Sequence, residues 1–410
     1  MGNIPRPRIL VITDRYPIDP LYSPSTWMHR SICELNTFAD VQVISIINIL
    51  PRFKNIFSFG RDWRWLKRSL LKNIDTKGSY TVPTKHYRVV GVPAKLSWWF
   101  LPRFIAIQCL KRIIADAELQ KYDMLITHTT YPTGYVALKI SRVLGIPFVV
   151  YNHDGWKIYK QYFGNNAARE VANILQSADA IMTLSNNHFV EINNNFPSQN
   201  IYYMPLGIDT VDNINRTENS KIFGVITASR LDGNEKKINI LIDAFSIFIR
   251  NITNEALLTI AGDGNDLIHL KRQVARLGLN NNVKFVGWLS SDKLKLMMQE
   301  NDIYVCSSDC ETFNYAALEA ASIGLPIVGL ITVGVIKEFV SIYPNELALN
   351  QLDADSIYEK IKTLYRDESK RKEIGNKMKL KAKNEYSWDN HRTVFEKNVE
   401  MIMIIKTKCN

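Results

Sequence analysis

The sequence predicts an α/β protein built from two Rossmann-like, doubly wound parallel-sheet domains that face each other across a cleft. Three observations carry this reading. The chain has 410 residues, more than one ordinary hydrophobic core serves, so two domains of roughly 200 residues each are the natural division. Short apolar runs ending in polar residues alternate with segments of helical length, which is the pattern of βαβ units. The alternation stops once, in the polar stretch "TVDNINRTENSK" that follows Asp209, and then restarts.

Taken in order, "RILVIT" opens the chain as a short apolar run closed by Thr13 and Asp14, and "VQVISI", "DMLITH", "PFVVYNH" and "AIMTLS" repeat the type. Such runs are strands buried on both faces, as in a parallel sheet. The helical segments between them include "TGYVALKISRVLG" and "AAREVANILQSA"; the first ends in Gly145, and Ile146-Pro147 then starts a new strand. After the polar stretch the second half reads "IFGVITAS", "INILIDAFSIFIRN", "ALLTIAG", "LIHLKRQVARLG", "VKFVGW", a helix, "IYVCSS", a helix and "PIVGLI". Three helical segments finish the chain, the last being "WDNHRTVFEKNVEMIMIIK". The expected division is an N-terminal domain over residues 1–200 and a C-terminal domain over 201–387, with helix 388–410 packing back on the first. The carboxyl ends of both sets of strands are then expected to line one interdomain cleft, where open α/β sheets bind ligands.

The composition, 46% hydrophobic and 22% charged, is that of a globular chain,. The net charge of +11 lies wholly in the first half, where residues 1–200 hold 24 Lys and Arg against 13 Asp and Glu, while the remainder holds 27 of each. Within 51–112 there are 14 basic and 2 acidic residues, a surplus able to draw an anionic surface or a polyanion. The five cysteines, Cys33, Cys109, Cys306, Cys310 and Cys409, are odd in number and form no CxxC pair. With no apolar signal segment after Met1, the expectation is a reduced, cytoplasmic protein. No apolar run approaches the roughly 20 residues of a spanning helix, so any membrane contact is expected to be peripheral, at the inner face of the cell membrane.

The stretch "DCETFNYAALEAASIGLPIV", Asp309 to Val328, carries the chemistry. It follows the strand "IYVCSS" as a turn and then a helix, stopped by Gly324 ahead of Pro326,. Small Ala316, Ala317, Ala320 and Ala321 suit close packing on a sheet. The helix N-terminus presents free N–H groups and the positive end of the helix dipole, an arrangement that favours phosphate. Glu311 stands just before the helix and Glu319 inside it, and Glu319 is the one charged residue between Thr312 and Ile336. A buried carboxylate needs partners, supplied either by protein donors or by ligand hydroxyls.

These residues resemble retaining glycosyltransferases of family 4, glycosyl transferases group 1, whose fold is called GT-B and whose hallmark E-x7-E, often EtfGlvalEA, stands here as "ETFNYAALEA". The resemblance continues through "SRLDGNEKKINILIDAF", similar to the family's gRLdp..KgidlLieAf, and through "IAGDGND", "VKFVGW", "MPLGID" and "YSWD". In the first half, "DMLITHTTYPTGYVALKISRVLGIPFVVYNHDGW" is similar to the family's Divh.h....g..a...a...giP.v.t.Hg.d. The resemblance implies a hexosyltransferase that uses a nucleoside-diphosphate sugar, UDP- or GDP-linked, as co-substrate, retains anomeric configuration and needs no metal or other cofactor. It places pyrophosphate-clamping roles on Arg230 and Lys236, with Lys237 left open as the alternative lysine, and a sugar-contacting role on Glu311. It places the nucleotide ribose on Glu319, phosphate binding on the helix end of Thr312, Phe313, Asn314 and Tyr315, donor packing on Gly262, and a position beside the transferred sugar on His153. A structural histidine at a strand end is the other reading of His153.

Several positions depart from the family pattern. Asp154 stands where a Gly is usual, the first βα loop has Ser25 and Thr26 in place of a Gly pair, Val333 replaces the first Gly of a common GGipE, and Lys237 replaces a small residue. The seven histidines show no metal-ligand spacing, and Asp353-Ala-Asp355 reads as a helix N-cap rather than a cation site,. In the basic segment, "RDWRWLKRSLLK" sets Trp63, Leu66 and Leu70 at helical spacing among Arg64, Lys67 and Arg68. Such a face suits an anionic membrane and a lipid-linked saccharide acceptor, as in bacterial surface-polysaccharide or glycolipid synthesis; a half-buried helix covering the sheet is the alternative. Two rival functions remain at this level: a nucleotide-sugar epimerase of the same fold, and a nucleic-acid binder using the basic aromatic patch, which leaves the second half unexplained.

Overall fold

The computed structural model describes residues 6–16, 26–49, 81–90, 101–118, 120–156, 159, 164–210, 222–232 and 236–409. Most of the basic segment, including Trp63, Leu66 and Leu70, lies outside the described residues. Two compact units are present, one of Met1–Leu184, Phe189–Pro205 and His391–Asn410, the other of Ser185–His188 and Leu206–Asn390.

In the first unit the elements run β1 (Arg8–Thr13), α1 (Thr26–Phe38), β2 (Asp40–Ile49), β3 (Thr84–Val90), α2 (Leu101–Glu118), β4 (Met124–Thr127), α3 (Thr133–Leu144), β5 (Phe148–Asn152), α4 (Gly164–Gln176), β6 (Ala180–Thr183), α5 (Asn186–Asn195) and β7 (Ile201–Tyr203). The seven strands are parallel and ordered β3-β2-β1-β4-β5-β6-β7. Ile9, Leu10, Val11 and Ile12 of β1 have no exposed surface, which is why this central strand reads as a continuous apolar run. Helix α3 ends at Gly145 in the left-handed region, φ 64°, a position that costs glycine nothing.

In the second unit follow β8 (Phe223–Ala228), α6 (Ile238–Asn251), β9 (Ala256–Ala261), α7 (Leu267–Arg276), β10 (Val283–Gly287), α8 (Ser291–Gln299), β11 (Ile303–Cys306), α9 (Tyr315–Ser322), β12 (Ile327–Leu330), α10 (Ile336–Val340), α11 (Pro344–Leu347), β13 (Ala348–Leu349), α12 (Ala354–Arg366) and α13 (Glu368–Tyr386). Its six strands are again parallel, ordered β10-β9-β8-β11-β12-β13. Both sheets therefore grow outward from their first strand in one direction and reverse beyond it, which creates a switch point between β1 and β4 and another between β8 and β11. Asp353 caps α12, its side chain accepting from Ser356 N at 2.7 Å. A Cβ on Gly375 of α13 would collide with the Gly324 carbonyl, so the end of α9 and helix α13 meet backbone to backbone.

The last helix, α14 (Trp388–Cys409), is held on the first unit from His391 onward. His391 bonds Pro205 O through Nδ1 at 2.7 Å and Ser31 Oγ through Nε2 at 2.8 Å. Asn398 Nδ2 donates to Tyr203 O at 3.1 Å, and the Phe395 ring packs edge-on to Phe38 and Tyr151. Among the described residues no helix is long and apolar enough to cross a membrane.

Candidate active site

The loops that leave β8 and β11 carry Arg230, Lys236 and Glu311. Lys236 Nζ lies 2.8 Å from Glu311 Oε1, with the two side chains only 13% and 14% exposed. The same carboxylate oxygen accepts from Ser308 Oγ at 2.7 Å and from Asn314 Nδ2 at 3.2 Å, and Ser307 Oγ fixes the Lys236 backbone by donating to its carbonyl at 2.8 Å. Burial works against the Lys236 ammonium, but the charge and hydrogen bond of Glu311 outweigh it, and the lysine pKa is raised. Arg230 is exposed beside this cluster, near enough that its charge opposes that of Lys236. The geometry thus presents two cations at a switch point, one buried and ordered, one reaching solvent.

Helix α9 begins at the same cluster. Asn314 is its N-cap, and its Oδ1 accepts from Ala317 N at 3.0 Å. Its backbone sits at φ 75°, a conformation that most side chains resist and that Gly or Asn tolerates. This explains how Asn replaces the family's glycine. The loop is tied on several sides: Thr312 O accepts from Ser185 Oγ at 2.8 Å, Phe313 O from Val335 N at 2.9 Å, and Tyr315 OH donates to Gly207 O at 3.0 Å. A Cβ on Gly334 would press on the Phe313 backbone, so the second glycine of the family's pair is the one whose space is filled, and Val333 is accommodated as a buried side chain.

Lys237 also occupies the left-handed region, φ 46°, and its ammonium lies 3.7 Å from Asp309 Oδ2. The structure therefore brings Lys236, not Lys237, to Glu311. Gly262 follows β9 at φ 137°, where a Cβ would strike the Ser229 carbonyl, and its N–H donates to Gly287 O at 2.7 Å. Only glycine allows the loops after β8 and β9 to approach so closely.

Glu319 is 4% exposed and takes a hydrogen bond from the Ser291 hydroxyl at the start of α8. Burial pushes its pKa up to about 7, against smaller opposing effects of Ser291 and Lys295. It has no direct bond to the Lys236 cluster among the described residues, and so forms a separate polar position deeper along α9.

In the first unit His153 follows β5 and is nearly buried. Its Nε2 lies 3.2 Å from Nδ1 of His128, which follows β4 and has no exposed surface. The rings of Trp27 and Tyr151 flank His153 at 4.8 and 4.5 Å between centroids. Asp154, the departure from the family's glycine, pairs with Arg15 at 3.4 Å and accepts from Tyr159 OH at 3.0 Å. Asp14, at the end of β1, has its pKa raised by burial.

The structure brings Lys236, Glu311 and Asn314 into contact, puts Arg230 beside them, and arranges Thr312, Phe313 and Tyr315 through their backbones or through bonds to other loops. Sequence reasoning missed Ser308, Ser291, Asp14 and His128. Ser308, three residues before Glu311 on one turn, carried a local signal. The pairing of His128 with His153 is a tertiary contact that spacing does not reveal. Among the described residues no group of three or more His, Cys, Asp or Glu is placed to hold a metal ion.

Two family models match the chain: Glycosyl transferases group 1 over residues 212–381 and Glycosyltransferase Family 4 over residues 52–212. An uncharacterised glycosyltransferase of Methanocaldococcus jannaschii is 26% identical over 325 residues, 74% of this chain and 81% of that protein. The alpha-monoglucosyldiacylglycerol synthase of Streptococcus pneumoniae is 20% identical over 263 residues, 59% of either chain. Among solved structures, Anabaena HepE in complex with UDP superposes with a TM-score of 0.70 at 17% identity, over 96% of this chain and 100% of that one. Sucrose-phosphate synthase from Thermosynechococcus elongatus gives 0.75 at 14% identity, over 98% and 100%. With the two models together running from residue 52 to residue 381 over two parallel α/β sheets, the chain belongs to the family 4-like, group 1 glycosyltransferases of GT-B fold.

Proposed function

We propose that this glycosyltransferase moves a hexose from a nucleoside-diphosphate sugar to a saccharide or lipid-linked saccharide acceptor with retention of anomeric configuration. The observation that carries the reading is the Lys236–Glu311 pair at the switch point of the second sheet. Breaking the bond between an anomeric carbon and a diphosphate leaves negative charge on the departing phosphate. Fixed cations in a partly water-excluded site stabilise that charge without reorganising as it develops. Lys236, held by Glu311, serves as a point charge, Arg230 supplies a planar fork, and the N-terminus of α9 adds backbone N–H groups. In this reading Glu319 receives the ribose hydroxyls, Glu311 the sugar, Gly262 leaves room for the donor, and His153 stands on the acceptor side. Charge neutralisation comes from the protein's own cations, with no metal or other cofactor assigned.

The donor class is supported by the UDP bound to HepE, and a glycolipid product by the named activity of the pneumococcal relative. The basic composition of residues 51–112 supports contact with an anionic membrane surface, from the cytoplasmic side in this reading. A thermal-shift series with UDP, GDP and their sugars tests the donor, because a ligand that binds only the folded state raises the melting temperature. We expect a shift with one nucleotide class, enhanced by its sugar and lost in Lys236→Ala. No shift with any of them, together with salt-sensitive oligonucleotide binding, overturns the reading. Release of labelled sugar onto anionic vesicles containing diacylglycerol glycolipid then tests the acceptor.

A further inference from the structure

In the first unit α3 packs between α2 and α4, and the three helices enclose a groove of about 340 Å³. The sequence builds its two walls. Tyr135, Leu138, Lys139 and Arg142 follow the i, i+3, i+4, i+7 spacing of one face of α3, and Glu170, Asn173, Ile174 and Ser177 repeat it on α4 and the residue just past it,. Leu138 and Ile174 are buried and give the groove its apolar lining. Glu170 is the one acidic residue of that lining among the described residues, and Arg103 of α2 pairs with it at 3.3 Å. Lys139 and Arg142 are left without a carboxylate among the described residues. The Lys139 ammonium stands 5.6 Å from the centroid of the Tyr135 ring, and Arg142 Nη2 donates to Ser177 Oγ at 3.3 Å. Neither contact neutralises a charge, and two like charges one helical turn apart repel each other. An anion seated between them removes that repulsion.

We propose that this groove binds a phosphate ester that carries hydroxyls, with Lys139 and Arg142 on the phosphate and the α4 side on the hydroxyls. A phosphate presents several oxygens, so a point-charge ammonium and a planar guanidinium engage it together. Asn173, Gln176 and Ser177 add uncharged amides and a hydroxyl to the lining, groups that both donate and accept and so match alcohols. The volume lies at the small end of ligand sites and suits a group the size of glycerol phosphate. Such a group is supplied either by the headgroup of an anionic phospholipid or by a soluble polyol phosphate. Ile107, one turn beyond Arg103, and Val143, next to Arg142, are 82% and 56% exposed, and apolar side chains beside cations suit a lipid surface. The lipid source rests on the membrane contact of the proposed function; the phosphate site does not.

Binding is read on the full-length protein by phosphorus NMR line broadening of glycerol phosphate and by flotation with phosphatidylcholine vesicles that contain or lack phosphatidylglycerol. The test variant is Lys139→Gln/Arg142→Gln. The control is Lys271→Gln/Arg272→Gln, which removes two exposed charges from α7 of the second unit. We expect the test variant to weaken binding of at least one probe by about tenfold or more, as loss of a charge-assisted hydrogen bond does, while the control binds as the unaltered chain does and circular dichroism shows both folded. Loss confined to phosphatidylglycerol vesicles identifies a lipid headgroup, and loss for glycerol phosphate identifies a soluble ester. Absence of binding to either probe, or equal binding by the test and control variants, overturns the proposal. Glycerol phosphate binding no more tightly than inorganic phosphate overturns the role given to the hydroxyls. Failure of the chain to bind nucleotide or transfer sugar counts against the proposed function alone, because neither readout uses them.

Discussion

The strand ends of the two sheets share a topology and differ in chemistry. Beyond β8 and β11, charged groups are present and satisfied: a lysine, a serine and an asparagine converge on one carboxylate oxygen of Glu311. Beyond β1, β4 and β5, the Arg15–Asp154 ion pair stands near buried polar atoms without partners among the described residues, such as Asp14 Oδ1, His128 Nε2, Thr130 Oγ1 and Asn152 Nδ2. The same fold thus gathers a hydrogen-bonded charge cluster in one unit and buried polar groups, several of them unsatisfied, in the other. In the proposed function the first kind meets the leaving diphosphate.

That contrast is sharpest in transfer rate. Lys236→Ala or Arg230→Ala is expected to lower kcat by about 10²–10³-fold, as loss of a preorganised transition-state contact does, with circular dichroism showing the fold kept. His153→Ala should cost less; an equal or larger loss there would place the main catalytic burden in the first unit.

The pH dependence of stability should carry opposite signs at two buried groups, His391 of the first unit and Glu319 of the second. Burial holds His391 down to about 4 from 6.5, so the unfolded chain binds that proton first. Stability is then lost as pH falls from 6.5 toward 4, by about 3 kcal/mol from this residue. His391→Gln should flatten that limb in urea midpoints measured between pH 7.5 and 4.5. Burial raises Glu319 to about 7 from 4.5, so its contribution is full below 4.5 and is lost as pH rises through 7, again by about 3 kcal/mol. Glu319→Gln should therefore raise the urea midpoint at pH 8 while weakening nucleotide binding. A higher midpoint without weaker binding would detach Glu319 from the ribose.

The smallest effect concerns the cap of α9. Asn314→Gly suits φ 75° but loses the cap, and should change stability by at most about 1 kcal/mol. Asn314→Ala loses the cap and retains the backbone strain, costing about 1–2 kcal/mol. Equal urea midpoints for the two variants would show that the left-handed backbone at Asn314 carries no strain.

Much of the fold was legible because parallel strands buried on both faces must be apolar from end to end, and "RILVIT" and "IYVCSS" became β1 and β11. Helix ends were legible where glycine or a capping side chain marks them, as at Gly145 and Asp353. The polar stretch after Asp209 fell near the division between the units, which runs at Pro205 and Leu206 in the structure. Within the site, spacing favoured Lys236 and left Lys237 as the alternative phosphate ligand; in the structure Lys236 pairs with Glu311, while the Lys237 ammonium lies beside Asp309.

The sequence by itself determined the two doubly wound sheets and the turn and helix that carry Glu311 and Glu319. Periodicity, caps and local motifs are short-range properties, and they are written in consecutive residues. Only the tertiary structure decided which groups share a proton or a charge. Lys236 and Glu311 are 75 residues apart, His128 and His153 are 25 apart, and Glu319 finds Ser291 from another helix. Burial and partner geometry set the protonation of each, and both arise only when distant strands and helices pack together.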